Sequence, residues 1–154
     1  MKILMVSMPS LHFFRWTEQL KHAGHDIYWF NITDSGEVIK RMDWIHQCYG
    51  WRLKWDFPGR TKLKSLFPKL TKLIEKFNIN ATDKAFEKYL NQVKPDVVHS
   101  FALYVSCSPI LKTMKKYPNL KWIYSSWGSD LFYYQNIPDY LKDIKEVLPR
   151  VQYL

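Results

Sequence analysis

Short apolar runs, each too brief for a helix and each followed by helical spacing, constrain this chain most. Lys2 to Met8 is such a run, broken by Pro9-Ser10, and it suits a buried strand. Phe13, Trp16, Leu20 and Ala23 then recur at intervals of three and four, with Arg15, Gln19 and His22 between them. That spacing predicts an amphipathic helix with Ser10 as its N-cap and Gly24 as its stop. Ile27 to Ile32, aromatic and β-branched, reads as the next strand. Strand, helix and strand thus fit within about thirty residues, the span of one βαβ unit.

The rhythm returns in the last third. Asp96 to Phe101 reads as a strand introduced by Pro95, and Lys121 to Trp127 as another. Between them Ile110, Leu111, Met114 and Tyr117 mark a helix with Ser108-Pro109 at its start. Leu141, Ile144 and Leu148 mark a helix closed by Pro149, and Val151 to Leu154 begins a final strand. In the middle, a helix from about Asp83 carries Phe86, Leu90 and Val93 and must stop before Pro95. Tyr49, Trp51, Leu53 and Trp55 alternate with Gly50, Arg52 and Lys54, which predicts a strand near a sheet edge. After Pro68, Leu70, Leu73, Ile74 and Phe77 form one helical stripe. The alternation as a whole predicts a Rossmann-like, doubly wound α/β domain over residues 1–154, its mostly parallel sheet flanked by helices.

Charge is the second constraint. The chain carries 23 basic and 14 acidic residues, a formal +9, which asks for a partner of negative sign. Most of the excess lies between residues 40 and 76, where ten cations face only Asp43, Asp56 and Glu75. Nucleic acid, an anionic membrane and a phosphorylated substrate all satisfy it. No apolar run approaches the roughly 20 residues a bilayer span needs. Cys48 and Cys107 form no C-x-x-C pair and, with no export signal in view, read as reduced thiols of a cytoplasmic protein.

In an open parallel sheet, ligands bind beyond the carboxyl ends of the strands. Three loops qualify: Met8 to Phe13, Phe101 to Val105, and Trp127 to Leu131. None holds G-x-G-x-x-G or a Walker lysine, which argues against an ordinary dinucleotide or P-loop site. His12 falls in the first turn of its helix, where backbone N–H groups favour an anion, although such a histidine is commonly just solvated. His99, inside a strand, reads first as a hydrogen-bonded core residue. Gly128-Ser129-Asp130 suits either a capped turn or a loop that holds a sugar hydroxyl. Five His and two Cys show no metal-ligand spacing, and Ser125-Ser126 lacks a nucleophile elbow.

Three blocks carry a resemblance. Met1 to Ser7 followed by Arg15-Trp16 and Gly24-His25-Asp26-Ile27, then Lys94-Pro95-Asp96-Val97-Val98-His99-Ser100, then Ser126-Trp127-Gly128-Ser129-Asp130 stand in order along the chain. Together they resemble the N-terminal half of family-4 glycosyltransferases of GT-B fold. Phe101 stands where many relatives carry a second histidine, and the first loop reads Met8-Pro9-Ser10-Leu11-His12 in place of a glycine pair.

The resemblance implies one half of a GT-B fold: the acceptor-side domain of a retaining enzyme that moves sugar from a nucleotide donor to a saccharide or lipid-linked acceptor. Polysaccharide or glycolipid biosynthesis is the implied setting. His12, His99, Ser100, Gly128 and Asp130 would lie on the acceptor side. No metal or cofactor is implied. The nucleotide-sugar would be a substrate held mainly by a second, C-terminal domain that nothing in this sequence matches, so this chain alone is not expected to catalyse transfer. Asp130 is expected to be an exposed loop acid whose loss costs little stability. Lys62, Lys64, Lys69 and Lys72, interleaved with Leu63, Leu66, Phe67 and Leu70, suggest peripheral contact with an anionic inner-leaflet surface. Two other readings stay open. Trp44, Tyr49, Trp51 and Trp55 beside Arg52 and Lys54 could stack single-stranded nucleic acid, and a natural half-enzyme could recruit a separate catalytic subunit.

Overall fold

In the computed structural model, residues 1–55, 65–67, 71, 74 and 77–152 are described. Five strands form one sheet: β1 (Lys2–Ser7), β2 (Asp26–Asn31), β3 (His46–Cys48), β4 (Val97–Phe101) and β5 (Lys121–Ser125). Every pairing is parallel and the order is β3-β2-β1-β4-β5, so the fold is the Rossmann-like α/β arrangement that the alternation predicts. β1 lies at the centre, with Met5 paired to Trp29 on one side and to His99 on the other. The α-helices whose bounds lie within the described residues are α1 (Leu11–Glu18), α2 (Thr82–Val93), α3 (Leu111–Lys116), α4 (Ser129–Phe132) and α5 (Pro138–Val147).

The central strands are buried on both faces, which is why they read as continuous apolar runs. On one face Leu4, Val6, Phe30, Val98, Trp122 and Tyr124 pack with Phe86 and Leu90 of α2, Met114 of α3 and Ile144 of α5. On the other, Ile3, Met5, Ile27, Trp29, Val97 and Phe101 pack with Phe13 of α1 and with Met42. Each such side chain contributes roughly 1.5–3 kcal/mol on burial. The two fully buried indoles are also satisfied: Trp29 Nε1 donates to Ser7 O at 3.1 Å and Trp122 Nε1 to Ser100 Oγ at 2.9 Å.

Local signals set the helix ends. Ser10 Oγ accepts from Phe13 N at 3.2 Å, the expected N-cap. α1 loosens into successive turns up to Ala23, and Gly24 at φ +70° reverses the chain into β2. α2 ends on Lys94 in the left-handed region, because Pro95 bars it from continuing the helix.

Three expectations need correcting. Residues 49–55 are not a strand; β3 is the shorter His46–Cys48 just before them. Gly50 at φ +68° breaks the run, and the Asp34 carboxylate takes the amides of Gly50 and Arg52, each at 2.6 Å, away from any ladder. Only an isolated antiparallel bridge, Leu53 with Ile79, remains. Residues 151–152 are not a strand either: Gln152 N donates to Trp122 O at 2.9 Å without a ladder, and residues 153–154 lie outside the described set. The stripe after Pro68 is not all inward, since Phe77 is exposed, while Leu70 and Leu73 lie outside the described residues.

Arg150 closes the open end of α3. Its guanidinium donates to the carbonyls of Met114 (3.0 Å), Tyr117 (2.6 Å) and Leu120 (3.0 Å) and lies over the Trp122 ring. Met114 O belongs to the last turn of α3, and Tyr117 O and Leu120 O to the loop that leads from it into β5, so one guanidinium ties the helix end to that loop. Arg150→Ala is expected to cost about 2 kcal/mol, and Arg150→Lys to recover only part, because an ammonium cannot span three acceptors in one plane. Urea unfolding of both variants checks this.

Candidate functional site

The strand order reverses between β1 and β4, and ligands of such sheets bind at that point, beyond the carboxyl ends. A crevice of ≈ 690 Å³ opens there, lined by His12, Trp16, Phe101, Ser125, Ser126, Trp127 and Ser129. The segments following β1, β4 and β5 thus meet in one place, as the sequence reading anticipates. Three aromatic side chains form the walls, and an imidazole and three hydroxyls supply the polar contacts, the usual composition of a small-ligand site.

α1 builds one side. His12 and Trp16 stand one helical turn apart on the same face. The exposed His12 ring comes within 6.0 Å of Trp127, and Trp16 meets the His99 ring edge-on at 4.6 Å. His99 stacks on Phe101 at 4.3 Å, and its Nε2 is 2.8 Å from Ser125 Oγ. Burial pushes the His99 pKa down to about 4, so near neutral pH the ring is uncharged. His99 is the hydrogen-bonded core histidine of the simpler reading, supporting the crevice wall from behind. Phe101, nearly fully buried, packs edge-on against Phe13 and lies under Trp16.

Gly128 and Asp130 shape the opposite side. Gly128 adopts φ +80°, a conformation L side chains rarely hold, with its N–H on Ser126 Oγ at 3.0 Å. Asp130 is not an exposed loop acid: it is 1% exposed and opens α4 from inside the protein. Its Oδ2 accepts from Leu103 N at 2.8 Å and from the Tyr124 hydroxyl at 2.5 Å. Its Oδ1 accepts from Ser126 Oγ at 2.8 Å and Trp127 N at 3.0 Å. The reason for the burial lies at the end of β4, where Ala102 takes φ +61° and residues 103–107 wind into a π turn. That turn leaves the Leu103 amide without a helical acceptor, and Asp130 supplies one. The carboxylate therefore ties the β4 exit to the β5 exit and positions Trp127. It does not line the crevice.

Ser100 points to the other face of the sheet, fully buried, where its hydroxyl accepts from Trp122. Of the five residues proposed for the acceptor side, His12 alone lines the crevice; His99, Gly128 and Asp130 hold its walls, and Ser100 belongs to the core. Trp16, Phe101, Ser125, Ser126, Trp127 and Ser129 line it without having been among those five. For Trp16 the i, i+4 spacing from His12 was the available signal.

Lys62, Lys64, Lys69 and Lys72 lie outside the described residues. The aromatic set considered for nucleic acid is not brought together. Trp44 packs on the Trp29 face, while Trp51 stacks on Phe30 on the opposite face, and Tyr49 and Trp55 are half-exposed. Among the described residues no cluster of three metal-ligating side chains occurs, and no helix is long and apolar enough to cross a membrane. No family model matches the chain, and no curated protein matches it significantly.

Proposed function

We propose that this chain provides the acceptor-binding side of a retaining glycosyltransferase, with a saccharide or the sugar of a lipid-linked acceptor held in the switch-point crevice. One observation carries the reading: aromatic walls from Trp16, Phe101 and Trp127 converge with His12 and the Ser125, Ser126 and Ser129 hydroxyls at the carboxyl edge of the sheet. Flat apolar rings suit the C–H faces of a pyranose, and hydroxyl and imidazole groups suit its equatorial oxygens. The three sequence blocks that resemble family-4 glycosyltransferases support the same assignment, and two of them supply crevice walls.

In this reading the nucleotide-sugar is bound mainly by a second domain, so the chain by itself binds UDP- or GDP-sugars weakly. Donor departure would be helped by fixed dipoles and cations around the leaving diphosphate, with no proton-transfer step assigned to His99. Contact of Lys62, Lys64, Lys69 and Lys72 with an anionic inner-leaflet surface belongs to the same proposal.

A glycan array, followed by titration of the best-retained oligosaccharide, tests the assignment. Trp127→Ala is expected to weaken that interaction about tenfold, on the order of 1.4 kcal/mol, with far-ultraviolet circular dichroism unchanged. Retention of no glycan, or equal affinity in Trp127→Ala, contradicts it.

A further inference from the structure

A second cavity, of ≈ 570 Å³, lies on the other side of the molecule between the segment leaving β3 and the face of α2. Cys48, Trp51, Leu53, Ala85 and Tyr89 give it an apolar floor, and among the described residues Lys54, Lys84 and Lys88 are the charged side chains lining it. Neither Lys84 nor Lys88 has a carboxylate partner among the described residues, whereas Lys112, Lys115 and Lys116 are each paired. Lys84 and Lys88 also stand four residues apart on α2, a spacing at which like charges destabilise a helix. Among the described residues the nearby carboxylates are engaged elsewhere: Asp34 by the Gly36, Gly50 and Arg52 amides, Asp83 by the Lys84 amide and Lys112, and Glu87 by Lys116.

The floor is rigid. The Trp51 ring stacks on Phe30 at 4.9 Å, and its indole N–H is held by Asn31 O at 2.8 Å. Lys54 Nζ donates to Phe77 O at 2.6 Å, which fixes that ammonium at the rim. A concave site with three lysines, no acid among the described residues that line it, and a fixed aromatic wall favours an anion that brings an apolar or ring portion with it.

We propose that this cavity binds a phosphate- or diphosphate-bearing ligand, its phosphoryl oxygens on Lys54, Lys84 and Lys88 and its remainder against Trp51 and Tyr89. The site is separate from the switch-point crevice and does not depend on the saccharide assignment. The phosphoryl group could come from a free phosphoester or from a lipid headgroup.

Isothermal titration calorimetry of the full chain with inorganic pyrophosphate at low salt tests it. A saturable 1:1 isotherm is expected, weakened about tenfold or more by Lys84→Glu with Lys88→Glu. The same pair on α5, Lys142→Glu with Lys145→Glu, changes the net charge equally and is expected to leave the isotherm intact. Lys84→Gln with Lys88→Gln provides a milder variant should the reversal disturb α2, with a smaller loss in the same direction. A second arm uses sedimentation with vesicles of equal parts phosphatidylglycerol and phosphatidylcholine. Vesicle binding lost in the α2 variants and kept in the α5 variant, with no pyrophosphate isotherm, assigns the phosphate to a lipid headgroup. Equal losses in the α2 and α5 variants, or binding of neither probe, overturns the proposal.

Discussion

Asp130→Ala is expected to destabilise the protein by about 4 kcal/mol. The substitution strands the Leu103 and Trp127 amides and the Tyr124 hydroxyl, all of which now donate to this carboxylate. A buried donor left without an acceptor costs about 1–3 kcal/mol, and removing the carboxylate creates two, at Leu103 and Tyr124, with a third, part-buried one at Trp127. Tyr124 is itself fully buried, and burial raises its pKa, so it cannot escape by ionising once the carboxylate is gone. For a chain of this size the melting midpoint should fall on the order of 10 °C. Asp130→Asn, which keeps the shape and one acceptor oxygen, should lose less. Urea denaturation measures both, and a loss below about 1 kcal/mol in Asp130→Ala would contradict the clamp role. The consequence for function is indirect: with the β4 and β5 exits untied, Trp127 loses its fixed place on the crevice wall.

The second large effect is a pH dependence centred on His99. Its folded pKa, about 4, lies below the ordinary 6.5 because burial disfavours the imidazolium. The unfolded chain therefore takes up a proton that the folded chain refuses. The stability that follows is complete above the unfolded pKa and is lost as pH falls from about 6.5 toward 4. Between pH 7.5 and 5 the loss from this residue alone should be about 2 kcal/mol. Carboxylates titrate in the same window, so the comparison is with His99→Gln, which offers Ser125 a hydrogen bond but carries no proton. Wild type should lose about 2 kcal/mol more than the variant across that interval. Parallel pH profiles would show that the ring is hydrated or charged in the native state.

What the sequence made legible follows from where each residue sits. β1, β2, β4 and β5 were readable because strands covered on both faces must be apolar throughout, and Ile3 to Val6 or Val97-Val98 leave little else to form. Ser10, Gly24 and Pro95 act through local sterics and hydrogen bonds, so their roles needed no tertiary information. The segment after β3 misled for a tertiary reason. Its alternating aromatics mimic a strand, but Asp34, sixteen residues upstream of Gly50, captures the amides a ladder would need. Asp130 was misplaced for a similar reason. Gly-Ser-Asp reads as an exposed turn, and only the positive φ of Ala102 and the π turn after it create the buried amide that draws the carboxylate in. His99 was legible as a core residue from its place inside a strand. That Trp16 and Phe101 would enclose it depended on the packing of α1.

Amide and indole chemical-shift mapping with the array-selected oligosaccharide distinguishes acceptor binding in the switch-point crevice from binding elsewhere on the molecule. Shifts are expected in the Trp16 and Trp127 indole N–H signals and the His12 ring, with the buried Trp29 and Trp122 indoles unmoved. Shifts confined to Trp51 and Trp55, or none with saccharide but salt-dependent ones with a single-stranded oligonucleotide, would contradict it.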